Sequence, residues 1–308
     1  MATSEPIIDV DPTAALVAPG KAPKRSSRGR LIWLRLRATP RFWIGAFVVI
    51  AMILWAIFGL WLTKWSPTDQ DLINSRGGPS GSHWFGTDDI GQDIYAETVV
   101  GLRKSLAIGL IAGPLSTIIS AFVGSFAGYV GGKADSVISW FINLLLVLPY
   151  FFLLVLISPW LKSYSWVALI FFIAAFTWMV MAQVIRAQTK SLRDRDFVKA
   201  ARFMGVSTGK IIRRHIIPNV ASLLIIDATL GVVYAIMAET SLSYFGFGIQ
   251  PPQVSLGTLL ADGTSAATTR PSVFLFPAGA LILLLFAVSL IGDALRDAVD
   301  PTSGATRD

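Results

Sequence analysis

Apolar and polar positions in this chain fall into long blocks rather than a fine alternation. Six mostly apolar runs stand at about Phe42–Leu62, Ser105–Val130, Val137–Ile157, Trp166–Ile185, Val220–Thr240 and Val273–Ile291. Each is near the ~20 residues that carry a helix across a bilayer. Runs of this length predict helices, because hydrocarbon offers no partner for an unpaired backbone N–H or C=O. Pro114 and Pro149 lie inside the second and third runs, where a missing N–H predicts a kink. Gly109 and Gly113, and again Gly124 and Gly128, stand four apart in the second run and predict close contacts with neighbouring helices. The expected organisation is a disordered basic tail over residues 1–40, a six-helix transmembrane domain over 41–295 and a short C-terminal tail over 296–308. The first apolar run comes too late and lacks the small-residue site of a cleavable signal peptide.

One segment, 190–219, has a pattern too polar to span and too regular for a loop. Phe197, Ala200, Ala201 and Met204 recur at i, i+3, i+4 and i+7 and predict one apolar stripe on a short helix. Asp196 is positioned to cap its start. Gly205 suits the left-handed position just past its end. Ser207 opens a second short helix carrying Ile211, Ile212 and Ile216, and Pro218 starts the next span, where its missing N–H is not needed. Arg193, Arg195, Lys199, Arg202, Arg213 and Arg214 surround the stripe. Periodicity alone fits two readings: a helix pair shaped to dock on a protein, or a basic loop lying on anionic headgroups.

Composition sharpens the class. Of 308 residues, 54% are apolar and 15% charged, against roughly 25% charged in soluble domains, and the mean hydropathy is +0.63. The net charge of +7 comes from two clusters, the N-terminal tail and segment 190–219. That is a topology signature, which places both in the cytoplasm, and not a nucleic-acid surface. An even number of spans then returns the C-terminus to the cytoplasm, and the loops at 64–104 and 242–271 are external. The chain has no cysteine, which excludes disulfides and thiolate metal sites, and its two histidines, His83 and His215, are far apart. No metal site is expected.

The first external loop carries His83-Trp-Phe-Gly-Thr-Asp88-Asp-Ile-Gly-Gln-Asp93 and runs through Gly101-Leu-Arg103-Lys-Ser-Leu106 into the second span. Its acids lack the bidentate Glu of a calcium loop. Without further context the string reads as a tight turn and a capped interfacial helix. The second external loop carries Ser241-Leu-Ser-Tyr-Phe-Gly-Phe-Gly-Ile-Gln-Pro251-Pro252. Asp227 and Glu239 are the acids of the fifth span. A carboxylate in hydrocarbon must face a cavity, a partner or the interface, so both are candidates for a translocation path. They stand twelve residues apart, about 18 Å along a helix at 1.5 Å per residue, too far for a catalytic dyad.

Lys199-Ala-Ala-Arg-Phe-Met-Gly205, followed by Ile211-Ile-Arg-Arg-His215-Ile-Ile-Pro218-Asn219, resembles the cytoplasmic Glu-Ala-Ala loop of ABC importer permeases. Ala200, Ala201, Gly205, His215, Pro218 and Asn219 match, whereas Lys199 stands where the family usually has Glu. The Gly-Thr-Asp88, Gly-x-Asp93 and Gly-x-Arg103-x-Ser-Leu strings, the Gly-x-Gly-x-x-Pro-Pro segment ending at Pro252 and the Gly292–Pro301 tail are similar to the dipeptide, oligopeptide and nickel branch. The resemblance covers about residue 30 to the C-terminus.

It implies an all-α type I importer permease with six transmembrane helices in a bacterial inner membrane. Asp196, Phe197, Lys199, Ala200, Ala201, Met204, Gly205, Arg213, His215 and Pro218 would form the loop that docks on an ATPase. Asp88, Asp93, Arg103, Pro251 and Pro252 would contact an external binding protein or gate the path. The implied partners are a second homologous permease chain, two ATP-binding subunits and an extracytoplasmic solute-binding protein. No GxxxxGK[ST] phosphate loop is present, so ATP and Mg would be bound by those subunits, and the chain is not expected to be an enzyme. A peptide importer is the leading reading, with nickel or haem as alternative cargo. An intramembrane protease would need a second acid at the depth of Asp227, and an ion-coupled carrier would need no docking loop.

Overall fold

The computed structural model describes residues 28–161 and 166–299. The expected tail over 1–27 and the end of the C-terminal tail, 300–308, lie outside the described residues. Helices in chain order are α1 (Arg28–Ala38), α2 (Pro40–Phe58), α3 (Ile94–Val130), α4 (Gly132–Val147), α5 (Tyr150–Leu161), α6 (Trp166–Thr177), α7 (Met179–Arg193), α8 (Asp196–Phe203), α9 (Thr208–Ile211), α10 (Ile217–Tyr244), α11 (Leu256–Ala266) and α12 (Pro271–Val299). The fold is all-α. Large apolar side chains remain exposed around its girth, among them Phe47, Leu156, Ile282, Trp140 and Val180. Hydrocarbon, not water, is the solvent such a surface matches.

Four helical stretches are long and apolar enough to span, Pro40–Trp61, Ile94–Val130, Thr208–Tyr244 and Pro271–Val299, and two bent pairs bring the number to six. The bent pairs are the expected third and fourth spans, the third broken at Pro149, where a kink was expected, and the fourth bent where none was. α4 and α5 meet at 81° across Leu148–Pro149, and α6 and α7 at 44°. The first break follows from Pro149. A proline disfavours helical backbone in the residue before it, and Leu148 is extended at φ −78° and ψ 127°. Pro114, by contrast, sits within the continuous 37 residues of α3.

α3 is the axis of the molecule, about 55 Å long at 1.5 Å per residue. It packs on α10 and α7 more extensively than on any other helix. The paired glycines explain why. A Cβ on Gly113 would stand 2.5 Å from Val232 N and one on Gly124 2.5 Å from Ala182 O, so only hydrogen fits at either crossing. One core joins Ile108 and Ala112 to Leu154, Ile173 and Leu242. A second joins Met52, Leu102, Ile236, Leu256 and Leu284.

Two expected boundaries move. Residues 28–38, placed in the disordered tail, form α1, whose Leu36 is buried against Ala294 and Ala298 of α12. Arg35 Nη1 donates to Ala298 O at 3.3 Å, a basic side chain satisfying a carbonyl at a helix C-terminus. α12 itself runs to Val299, past the expected start of the C-terminal tail at 296.

Candidate functional site

The two ends of α3 carry the two candidate sites. At its C-terminal end lies the basic segment. α8 is one turn too short to be stable alone, and it is held by Val198 and Ala201, which are buried with Ile211 and Ile216 against Tyr129, Leu192 and Val206. This corrects the expected stripe. Ala201 lies on the buried face, and the outward apolar face is Phe197, Ala200, Phe203 and Met204, with Phe203 90% and Met204 75% exposed. Phe203 and Val198 were not among the expected site residues. The i, i+3 pair Val198–Ala201 was a signal for the inward face. Asp196 is also corrected: the cap position belongs to Arg195, and Asp196 is the first helical residue, making no side-chain cap bond.

Gly205 fulfils its expectation at φ 73°. Val206 N donates to Ala201 O at 3.1 Å and Gly205 N to Arg202 O at 3.0 Å, the paired bonds that close a helix through a left-handed residue. The second helix is not separate. α9 passes through a π turn at Ile212–Ile216 into α10, whose first turn contains Pro218. Pro218 has no N–H to donate and its ring crowds the carbonyl four residues back, and the wider turn relieves both. Asn219 Nδ2 donates to His215 O at 2.7 Å, and the His215 ring lies 6.3 Å from that of Phe197. Lys199 and Arg213 are exposed. No carboxylate lies within ion-pair distance of Lys199 among the described residues. Nearby, Asp135 at the start of α4 pairs with Arg186 and with Lys190 Nζ at 2.6 Å, both on α7. The sequence reading missed this clamp.

Asp227 is half-buried on α10. It accepts a hydrogen bond from Thr117 Oγ1 at 2.5 Å and opens on a cavity of about 500 Å³ with Pro149, Tyr150, Thr177, Met181 and Tyr234. The bend between α4 and α5 supplies one wall. Glu239 does not share it. Glu239 is fully buried, accepting from Ser105 Oγ at 2.9 Å and Ser243 Oγ at 2.7 Å. Its expected place on a path is therefore corrected: it ties α10 to α3, with each hydroxyl offsetting desolvation of the carboxylate.

At the other end of α3 the loop 62–93 has no helix beyond one turn but is closely bonded. Asp93 caps α3, accepting from Ala96 N at 2.8 Å, and its other oxygen pairs with His83 Nδ1 at 2.8 Å. His83 Nε2 reaches Asp71 at 3.4 Å, and its ring stacks on Trp65 at 4.5 Å. Asp71 is held below its usual carboxylate value by the Asn74 amide, against some burial, with further help from backbone N–H groups and His83. Burial of Asp89 is outweighed by Arg270 and Arg76, and its pKa is lowered. Asp93 is 1% exposed, and Arg103 donates from Nε to Ala56 O at 2.9 Å, closing the end of α2. Asp93 therefore does not present itself to a partner and is corrected to a structural role, whereas Arg103 holds the end of α2 while remaining exposed. Asp88, Pro251 and Pro252 do converge, on one pocket of about 340 Å³. Among the described residues no cluster of three metal-ligating side chains occurs.

The comparisons with known proteins fit this geometry. The family described as "Binding-protein-dependent transport system inner membrane component" matches residues 120–303. This chain belongs to that family. A second family, the N-terminal TM domain of oligopeptide transport permease C, matches residues 27–79, a stretch that covers α1, α2 and part of the 62–93 loop. The chain is 49% identical over 247 residues to an oligopeptide transport system permease protein of Mycobacterium tuberculosis, covering 80% of this chain and 85% of the relative. It is 34% identical over 289 residues to the protein of the same description from Bacillus subtilis, covering 92% and 93%. A putative peptide permease protein of Brucella suis is 38% identical over 262 residues, covering 84% and 86%. The chain is thus an ABC importer permease of the oligopeptide branch and a multi-pass membrane protein.

Proposed function

We propose that the chain is one permease subunit of an ATP-driven peptide importer, coupled to partner ATPases through the outward face of α8. The observation that carries this is the exposure of Phe197, Ala200, Phe203 and Met204 on a helix whose opposite face is anchored by Val198 and Ala201. An apolar face left open to water beside a membrane domain is the mark of a protein contact. Anchoring by Ile211 and Ile216 ties α8, through the π turn, to α10. A push on α8 then moves α10, which carries Asp227 and its cavity. Rocking of that helix would open the cavity to each side in turn.

The basic end is assigned to the cytoplasm by its Lys and Arg excess. The 62–93 and 245–270 segments, at the opposite end of α3, are then external and face a solute-binding protein. A second permease chain completes the path, and two ATP-binding subunits supply ATP and Mg. The names of the relatives support peptide over nickel or haem as cargo. Asp227 would meet the positively charged or hydrogen-bond-donating parts of a peptide backbone.

Uptake of labelled peptide into cells that lack the chain and carry either wild type or Ala200→Glu tests the reading. Ala200→Glu puts a charge into a desolvated contact without touching a span, so the protein inserts, uptake is lost and ATPase subunits no longer co-purify. Normal uptake by Ala200→Glu, with uptake lost when Arg193, Arg202 and Arg213 are neutralised, would instead assign the segment to the lipid surface.

A further inference from the structure

The pocket at the N-terminal end of α3 holds more acid than its turn requires. Asp88 borders it, with Oδ1 accepting from Ile90 N at 3.0 Å and Gln92 N at 2.6 Å. Glu97 and Asp262 border it as well. Glu97 lies one turn into α3 and is 5% exposed, yet its carboxylate has no hydrogen-bond or ion-pair partner among the described residues. A buried carboxylate left without a partner is costly, and the free side of this one is the pocket. Arg270 and Arg76 are each ion-paired with Asp89, Arg270 through Nη2. Burial first, and then Asp88 and Asp89, hold the Asp262 carboxyl above its usual range. Among the described residues none of the three acids has an ion-pair partner, and no Lys or Arg lines the pocket.

The three acids do not converge as ligands of one small metal ion among the described residues. They are spread over a pocket of about 340 Å³ with apolar walls from Ile94, Val254 and Leu259, which suits a cation on an apolar stem. The mouth is rimmed by exposed Ile90, Pro251, Pro252 and Gln253. An exposed apolar rim around a charged recess fits a protein surface better than a free solute.

We infer that this pocket is a socket for one arginine or lysine side chain presented by the external solute-binding protein, with Glu97 at its base and Asp88 and Asp262 at its sides. The inference rests on the importer reading above. It adds the chemistry of the contact: one cationic side chain inserted beside α3, α11 and the 251–254 turn.

Two measurements on the full transporter in nanodiscs test it. In the first, carboxylates are modified with a water-soluble carbodiimide and mapped by mass spectrometry, with n-butylguanidinium or its neutral counterpart n-butylurea as the probe. The guanidinium should slow modification of Glu97 and Asp262 and leave exposed Asp69 unchanged, and the urea should protect none. Equal modification with both probes overturns the socket, whatever the transporter carries. In the second, docking of the transporter's own peptide-loaded binding protein is measured for Glu97→Gln, Asp262→Asn and the control Asp69→Asn. Removing one partner of a desolvated charge pair weakens docking by roughly tenfold or more, so both pocket variants should lose affinity and Asp69→Asn should not. Unchanged docking by both variants overturns the proposal. So does unchanged docking combined with lost transport of free-amino but not N-acetylated peptide, which reassigns the pocket to the cargo. If the wild type binds no such protein, the importer reading fails, and the probe experiment still decides the socket's cation preference.

Discussion

Gly113→Ala perturbs the close crossing of α3 and α10 by a single methyl group. The added Cβ would stand 2.5 Å from Val232 N and 2.6 Å from Gly231 C, where ordinary contact begins at 3.4 Å. The shortfall is 3.4 − 2.5, about 0.9 Å. Both obstacles are backbone, so no rotamer change relieves them, and α3 and α10 must separate by about an ångström. Overpacking of that kind costs about 1–3 kcal/mol. It also strains the Thr117–Asp227 hydrogen bond, one turn along α3 from Gly113. Gly109→Ala is the internal control. Its Cβ meets side-chain atoms of Ile236 at 2.6 and 2.8 Å, which shift more readily than backbone even in a buried, χ1-stiff side chain, so the cost is smaller. Equilibrium unfolding of the purified chain in lipid micelles should rank wild type first, Gly109→Ala second and Gly113→Ala last. Gly113→Ala as stable as Gly109→Ala would refute the claim that backbone contact sets this crossing.

Ser80 and Ser207 are both exposed and the chain has no cysteine, so single cysteines there report sidedness. An impermeant thiol reagent on intact cells should label the Ser80 site and not the Ser207 site, and the reverse pattern inverts the orientation. Asp227→Asn should lower uptake or change peptide preference with assembly intact, whereas normal uptake by Asp227→Leu would remove Asp227 from the path. Asp71, with its pKa lowered from 3.8, contributes to the His83 loop above that value and loses the contribution as pH falls through its lower folded value. Limited proteolysis of residues 62–93 should be flat from neutral pH down to about 4 and rise below it, with a smaller rise in Asp71→Asn. An identical acid profile in that variant would take Asp71 out of the lock.

The positions of the spans were legible because bilayer thickness fixes the length of an apolar run, and Gly205 and Pro218 were legible because each suits one backbone geometry. The 81° break at Pro149 was only half legible: proline predicts a bend, but its angle depends on what packs on α5. The faces of α8 were misassigned at Ala201 for a different reason. Period 3.6 defines stripes on a helix without saying which stripe is covered, and that was settled by Ile211 and Ile216 folding back on Val198. Asp93 reads as a contact residue because a charged group in a loop looks available, and the hold of Arg103 on α2 was not legible at all. Their partners, the α3 N–H groups, His83 and the last carbonyls of α2, come from segments that sequence spacing does not relate. Glu97 was hidden for the same reason: its neighbour Asp262 lies on α11, far along the chain from α3.

The central claim is that the outward face of α8 is an ATPase contact, and Phe203, 90% exposed there, reports on it most directly. A photo-crosslinking amino acid placed at Phe203 in the assembled transporter should give an adduct with an ATP-binding subunit. The adduct should be lost in an Ala200→Glu background. Adducts with lipid alone, or a protein adduct that survives Ala200→Glu unchanged, would contradict the account.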